Sequence, residues 1–91
     1  LIKYIAEIVI KTRNNNSLFL GASPRASIAI LNSSKAYAAI NGRDFVKPED
    51  IKEMVYPVLN HRIVLTPEKE IEGISTQKVI RQIIESVEIP R

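Results

Sequence analysis

The chain has 91 residues, of which 45% are apolar and 25% charged, with a net charge of +3, one histidine and no cysteine. This is enough for one domain with a modest core, and too rich in apolar residues for a disordered tail. It excludes a disulfide scaffold and a thiolate metal site, and a zinc site would have to be assembled from His61 and carboxylates.

Residues 1–13 read as a helix. Ile5, Ile8 and Val9 share one face, with Ile2 one turn earlier, and Lys3, Glu7 and Lys11 lie opposite at i, i+4 spacing. Asn14-Asn15-Asn16-Ser17 ends it, because these side chains compete for backbone hydrogen bonds. Leu18-Phe19-Leu20 is a short extended apolar link tucked against the core, and Gly21-Ala22 turns the chain. Ser23 as N-cap and Pro24 at the first helical position open a second helix that runs to about Asn41, with Gly42 just past its end. Its small apolar residues, with Ile28, Ile30, Leu31, Tyr37 and Ile40, make a stripe wide enough for a central helix with several neighbours.

Pro48 opens a third helix, with Glu49 and Asp50 in its first turn where the helix dipole favours negative charge. Ile51, Met54, Val55, Val58 and Leu59 form its buried face, and Pro57 is expected to kink or end it. Residues 61–74 are irregular. Ile63-Val64-Leu65 reads as a short strand or apolar strap, Thr66–Glu70 as a turn or single helical turn, and Gly73 as a break. Ser75 caps a last helix over 76–88, with Val79, Ile80, Ile83, Ile84 and Val87 on its buried stripe. Ile89-Pro90-Arg91 ends it. The expectation is an all-α domain: a small four-helix bundle with an irregular or short-strand excursion before the last helix.

The chemistry of a free-standing enzyme is missing. The three glycines stand at 21, 42 and 73, so no glycine-rich loop can cradle a phosphate. His61 has no nucleophile elbow to serve. Glu49 and Asp50 fit a helix start better than a glycosidase pair. No apolar run approaches the roughly 18 residues of a membrane span. Leu1-Ile2-Lys3-Tyr4 opens inside a helical pattern without an initiator Met, which suggests a piece of a longer protein.

Arg25 stands out. A cation in the first turn of a helix opposes its dipole. There the guanidinium and the unpaired N–H groups of the turn would together grip an anion. The plain alternative is an exposed arginine paired with a nearby acid. Arg13 and Arg62 read as solvated surface or the lining of a partner surface. His61 reads as a C-terminal cap or a packed residue, ahead of a ligand or base. The basic residues are spread from Lys3 to Arg91 among acids, which argues against a nucleic-acid face.

The text Gly21-Ala22-Ser23-Pro24-Arg25-Ala26-Ser27 resembles the sensor 2 segment of MoxR-type AAA+ ATPases. Tyr4-Ile5-Ala6-Glu7-Ile8-Val9 with Thr12-Arg13 is similar to the helix before it. Gly42-Arg43-Asp44-Phe45-Val46 with Pro48-Glu49-Asp50-Ile51 is similar to the following junction. Val58-Leu59-Asn60-His61-Arg62-Ile63 and the closing Val87-Glu88-Ile89-Pro90 with Arg91 also match. The resemblance spans nearly the whole chain. It implies a single α-helical lid over residues 1–91, lacking the α/β core and an earlier helix and connector.

In such a lid Arg25 would be the sensor 2 arginine that reaches the γ-phosphate of ATP, with Ser23 and Pro24 setting the helix start that aims it. ATP with Mg would bind to the full-length parent, an ATP hydrolase. The isolated chain would bind none tightly and hydrolyse none. The partners implied are the core of the same chain, neighbouring subunits of a ring (often a hexamer), and von Willebrand A-type clients or adaptors. The parent would be a chaperone-like remodeler in the cytoplasm. The competing class is a free-standing helical module that binds protein or DNA, motivated by the mildly basic charge and the Gly42–Ile51 junction.

Overall fold

The computed structural model describes residues 1–89. In chain order it contains α1 (Ile2–Arg13), β1 (Leu18–Leu20), α2 (Arg25–Ile40), α3 (Pro48–Leu59), β2 (Val64–Leu65), α4 (Pro67–Ile71) and α5 (Thr76–Ser86). The four expected helices all form. The closing Pro90 and Arg91 lie outside the described residues.

One apolar core joins the four long helices. Tyr4, Ile5, Ile8 and Val9 enter it from α1, Ala26 and Ile30 from α2, Ile51, Val55 and Leu59 from α3, and Val79, Ile80, Ile83 and Ile84 from α5. Each of the larger aliphatic side chains is worth about 1.5–3 kcal/mol when fully withdrawn from water. Leu18, Ile63 and Leu65 extend the core beneath the strands. The strap reading of 63–65 resolves into β2, which pairs antiparallel with β1, with Leu18 opposite Leu65 and an irregularity before Leu20. The Asn14–Ser17 loop folds back on itself: the Ser17 N–H donates to Asn15 Oδ1 at 2.8 Å.

The single helical turn read after β2 forms as α4, whose N-cap Thr66 accepts a hydrogen bond from the Lys69 N–H. Gly73 then adopts φ +80 and closes it, with the Ile74 N–H donating to the Lys69 carbonyl at 3.1 Å. Pro57 does not end α3, which runs on to Leu59, because only the Pro57 N–H is missing and Asn60 still donates to the Tyr56 carbonyl at 2.9 Å. The last helix stops at Ser86, two residues short of expectation, and Val87 is extended but still buried. Ser75 caps it as expected, accepting from the Lys78 N–H at 3.1 Å.

The burial pattern is also corrected. Ile2 is exposed rather than on the buried face of α1, and in the link expected to lie against the core Leu18 is buried but Phe19 points to the other face of the strand, exposed. α2 packs against α1 and α3, but Ile28, Ala36, Ala39 and Ile40 face solvent, the last 83% exposed. Its apolar stripe is wider than the domain covers.

Candidate functional site

The turn that leads into α2 is built on the end of α1. Thr12 is buried in the last turn of α1, where its hydroxyl donates to the Val9 carbonyl at 2.6 Å and accepts from the Ala22 N–H at 3.0 Å. One side chain thereby satisfies a buried donor ten residues away. Gly21 lies so close to the same turn that an added Cβ would stand 2.5 Å from the Thr12 carbonyl oxygen and 2.7 Å from the Arg13 Cα. Only glycine permits this approach. Ala22 and Ala26 are buried on either side of Ser23, Pro24 and Arg25, which are exposed. Two anchored positions thus flank a short exposed segment.

Arg25 is the first residue of α2, and no acidic residue shares that turn. Among the described residues it forms no ion pair. The expected partner acid is therefore absent there. One detail of the helix start differs from expectation: the Ser23 side chain does not cap the helix. Pro24 is already helical at φ −56 and ψ −25, so the Ser23 carbonyl accepts from the Ala26 N–H at 2.9 Å instead. The Ser27 N–H is likewise taken, by the Pro24 carbonyl at 3.1 Å. With these donors engaged, an anion would meet the Arg25 guanidinium more than an open helix end.

Two concavities flank this segment. One, of about 140 Å³, lies between α1 and α2 and is almost wholly apolar, lined by Ile2, Ile5, Ala6, Ser27, Ile28 and Leu31. The other, of about 590 Å³, is lined by Ser23 and Pro24 together with Arg13, Phe19, His61, Arg62 and Val64. The structure thus gathers the three residues that had no firm role. His61 is neither cap nor core: Asn60 ends α3, and His61 is exposed in the turn after it.

A second arginine sits past the other end of α2. Gly42 at φ +78 reverses the chain, with the Arg43 N–H donating to the Ala38 carbonyl at 2.9 Å. Arg43 then grips Asp50 with both terminal nitrogens, each bond 2.6 Å long. Asp50 is 2% exposed and also accepts from the Lys47 N–H at 2.8 Å, closing the start of α3. The Arg43 hydrogen bonds, against the opposing pull of desolvation, hold the Asp50 carboxyl at about 2, well below the ordinary 3.8. Phe45 lies between Arg43 and Lys47, whose charged groups stand 5.9 and 5.8 Å from its ring centre. Sequence reasoning treated Asp50 as a dipole partner and gave Arg43 no role. The signal was a glycine-terminated helix followed by an arginine seven residues before the acid at the third position of a proline-opened helix.

Among the described residues, no three His, Asp or Glu side chains gather as a metal site requires, and no helix is long and apolar enough to cross a membrane.

Comparison with known proteins agrees with this architecture. Residues 10–83 match the AAA lid domain family. The chain is 44% identical over 88 residues to the uncharacterized protein YeaC of Bacillus subtilis, covering 97% of this chain and 28% of YeaC. It is 35% identical over 100 residues to Chaperone MoxR1 of Mycobacterium tuberculosis, covering all of this chain and 26% of that protein. The crystal structure of a proposed ATPase from Cytophaga hutchinsonii superposes with a TM-score of 0.91 at 44% identity, over 99% of this chain and 30% of that one. The chain spans less than a third of each of these relatives.

Proposed function

The chain belongs to the AAA lid domain family, in the form found in MoxR-type AAA+ ATPases, and on that premise we propose that it is the nucleotide-sensing lid of such an enzyme, with Arg25 as its sensor 2 arginine. The observation that carries this reading is the contrast at the start of α2. Arg25 is exposed and without an ion pair among the described residues, yet it stands on a turn fixed by Thr12 and Gly21. A ligand-gripping cation needs both properties, because a free guanidinium loses less affinity to ordering when its backbone is already placed.

The residues here fit part of an ATP site. Arg25 supplies a fork for phosphate oxygens, and the apolar groove that begins at Ser27 and Ile28 offers a wall for a flat ring. With no acidic cluster among the described residues, Mg would fall to the core. Bound ATP with Mg would supply the phosphoryl group that passes to water. Arg25 would neutralise charge on the γ-phosphate oxygens as it develops, and its pull would couple the nucleotide state to the orientation of the lid. Ser23 and Pro24 fix the start of α2 and so the aim of Arg25. The core of the same polypeptide and the neighbouring subunits of a ring are the partners of this reading, and remodelling of client proteins is its output.

The test is steady-state ATP turnover by the full-length protein that carries this lid. Arg25→Ala should lower kcat on the order of a hundredfold, as for removal of one donor that stabilises transition-state charge. Arg25→Lys should recover only part, because the ammonium keeps the charge and loses the fork. Undiminished turnover in Arg25→Ala would end the sensor assignment.

A further inference from the structure

The larger groove borders the sensor turn through Ser23 and Pro24, but most of its side chains have no part in the sensor reading. Beside the turn at 21–24, its lining takes Arg13 from the end of α1, His61 and Arg62 from the turn after α3, and Phe19 and Val64 from the paired strands. No acidic residue lines it. Arg13 and Arg62 are exposed and form no ion pair among the described residues.

Phe19 is the unusual member. It is 76% exposed beside Val64, which is 44% exposed. The other exposed phenylalanine, Phe45, already lies between two cations of its own chain. No cation stacks on Phe19 among the described residues. Arginines around an exposed aromatic ring are the composition of interface centres rather than of plain surface.

We propose that this groove docks an acidic segment of a partner protein, whose carboxylates pair with Arg13 and Arg62 and whose apolar side chain covers Phe19 and Val64. The complementarity of charge decides the class of partner: the groove presents fork-shaped donors suited to carboxylates and offers no carboxylate of its own. A nucleic-acid strand fits less well, because it needs a row of cations and several stacking rings along its path, and here two guanidiniums flank a single ring. The proposal goes beyond the sensor reading: Ser23 and Pro24 border both, but Arg25 does not line this groove, and the apolar groove shares no residue with it.

The experiment is fluorescence anisotropy of the 91-residue chain with a fluorescein-labelled decapeptide of alternating glutamate and leucine. Saturable binding is expected, weakened about tenfold or more by Arg13→Glu with Arg62→Glu and severalfold by Phe19→Ala. Lys78→Glu with Arg81→Glu, the same charge change on the exposed face of α5, should leave binding within about twofold, because a remote exposed charge is screened. A melting curve accompanies each variant, and Arg13→Gln with Arg62→Gln carries the test if the glutamate pair does not fold. Three results would each overturn the proposal: equal weakening by the α5 pair, displacement of the peptide by ATP, or tighter binding of a single-stranded oligonucleotide to the same groove. None of these would touch the Arg25 assignment, which turnover tests separately.

Discussion

The two ends of α2 each carry an arginine after a tight turn, and the two are used in opposite ways. Arg43, past the C-terminal end, is spent on Asp50 through two bonds of 2.6 Å, and it locks the start of α3 to the end of α2. Arg25, at the N-terminal end, touches no acid among the described residues, although its turn is held as firmly through Thr12 and Gly21. Rigidity is common to both corners. What separates them is where it comes from: at one end the arginine supplies it, and at the other the backbone and a buried hydroxyl supply it, leaving the arginine free. An arginine that does not hold the fold can hold a ligand.

Substitutions can break this contrast, and they rank by the space and pairing each removes. Gly21→Ala should cost most. Its Cβ would meet backbone atoms of Thr12 and Arg13 that cannot swing aside, so a loss of about 3 kcal/mol or more is expected by thermal unfolding, the upper range of overpacking. Asp50→Asn should lower Tm by roughly 10 °C at neutral pH, since it leaves Arg43 facing an amide. This loss has a definite pH dependence. The carboxyl titrates at about 2 when folded against 3.8 when unfolded. The unfolded chain therefore takes up the proton first as pH falls, and the pair's contribution is complete above about pH 5, shrinks between about 4 and 2, and is absent below. The Tm gap between wild type and Asp50→Asn should close over that interval.

Thr12→Val should cost about 1–2 kcal/mol, the price of leaving the buried Ala22 N–H without an acceptor. Arg25→Ala should change stability by no more than about 0.5 kcal/mol, as for surface positions without partners. If Arg25→Ala proved as destabilising as Asp50→Asn, the two corners would be alike and the contrast would fail.

The order of elements and the placement of Arg25 could be read in the sequence because punctuation residues mark them. Pro24, Pro48 and Ser75 open helices, and Gly42 and Gly73 adopt the positive φ that closes them. What escaped depends on contacts between distant residues. Thr12 reads as an ordinary helix residue until Ala22 is seen to donate to it. β1 and β2 pair across more than forty residues, with no local signal beyond three apolar residues in one and two in the other. For α4 only the end escaped: Thr66 and Pro67 announce a helical turn, but Ile71 is exposed, so no apolar period carries it past Glu70. Ile2, Ile28 and Ile40 show the limit of periodicity most plainly: the pattern marks them as apolar and cannot say whether this domain covers them. The basic groove was invisible for the same reason, since Arg13, Phe19 and Arg62 lie on three separate elements.

The central claim is that Arg25 reads the γ-phosphate, and ligand-induced stabilisation of the full-length protein tests it most directly. A ligand that binds the folded state raises Tm according to its affinity. A non-hydrolysable ATP analogue should therefore raise Tm more than ADP in the wild type, and Arg25→Ala should erase most of that difference while leaving the ADP response in place. If Arg25→Ala kept the full difference between the two nucleotides, Arg25 would not be the residue that senses the third phosphate.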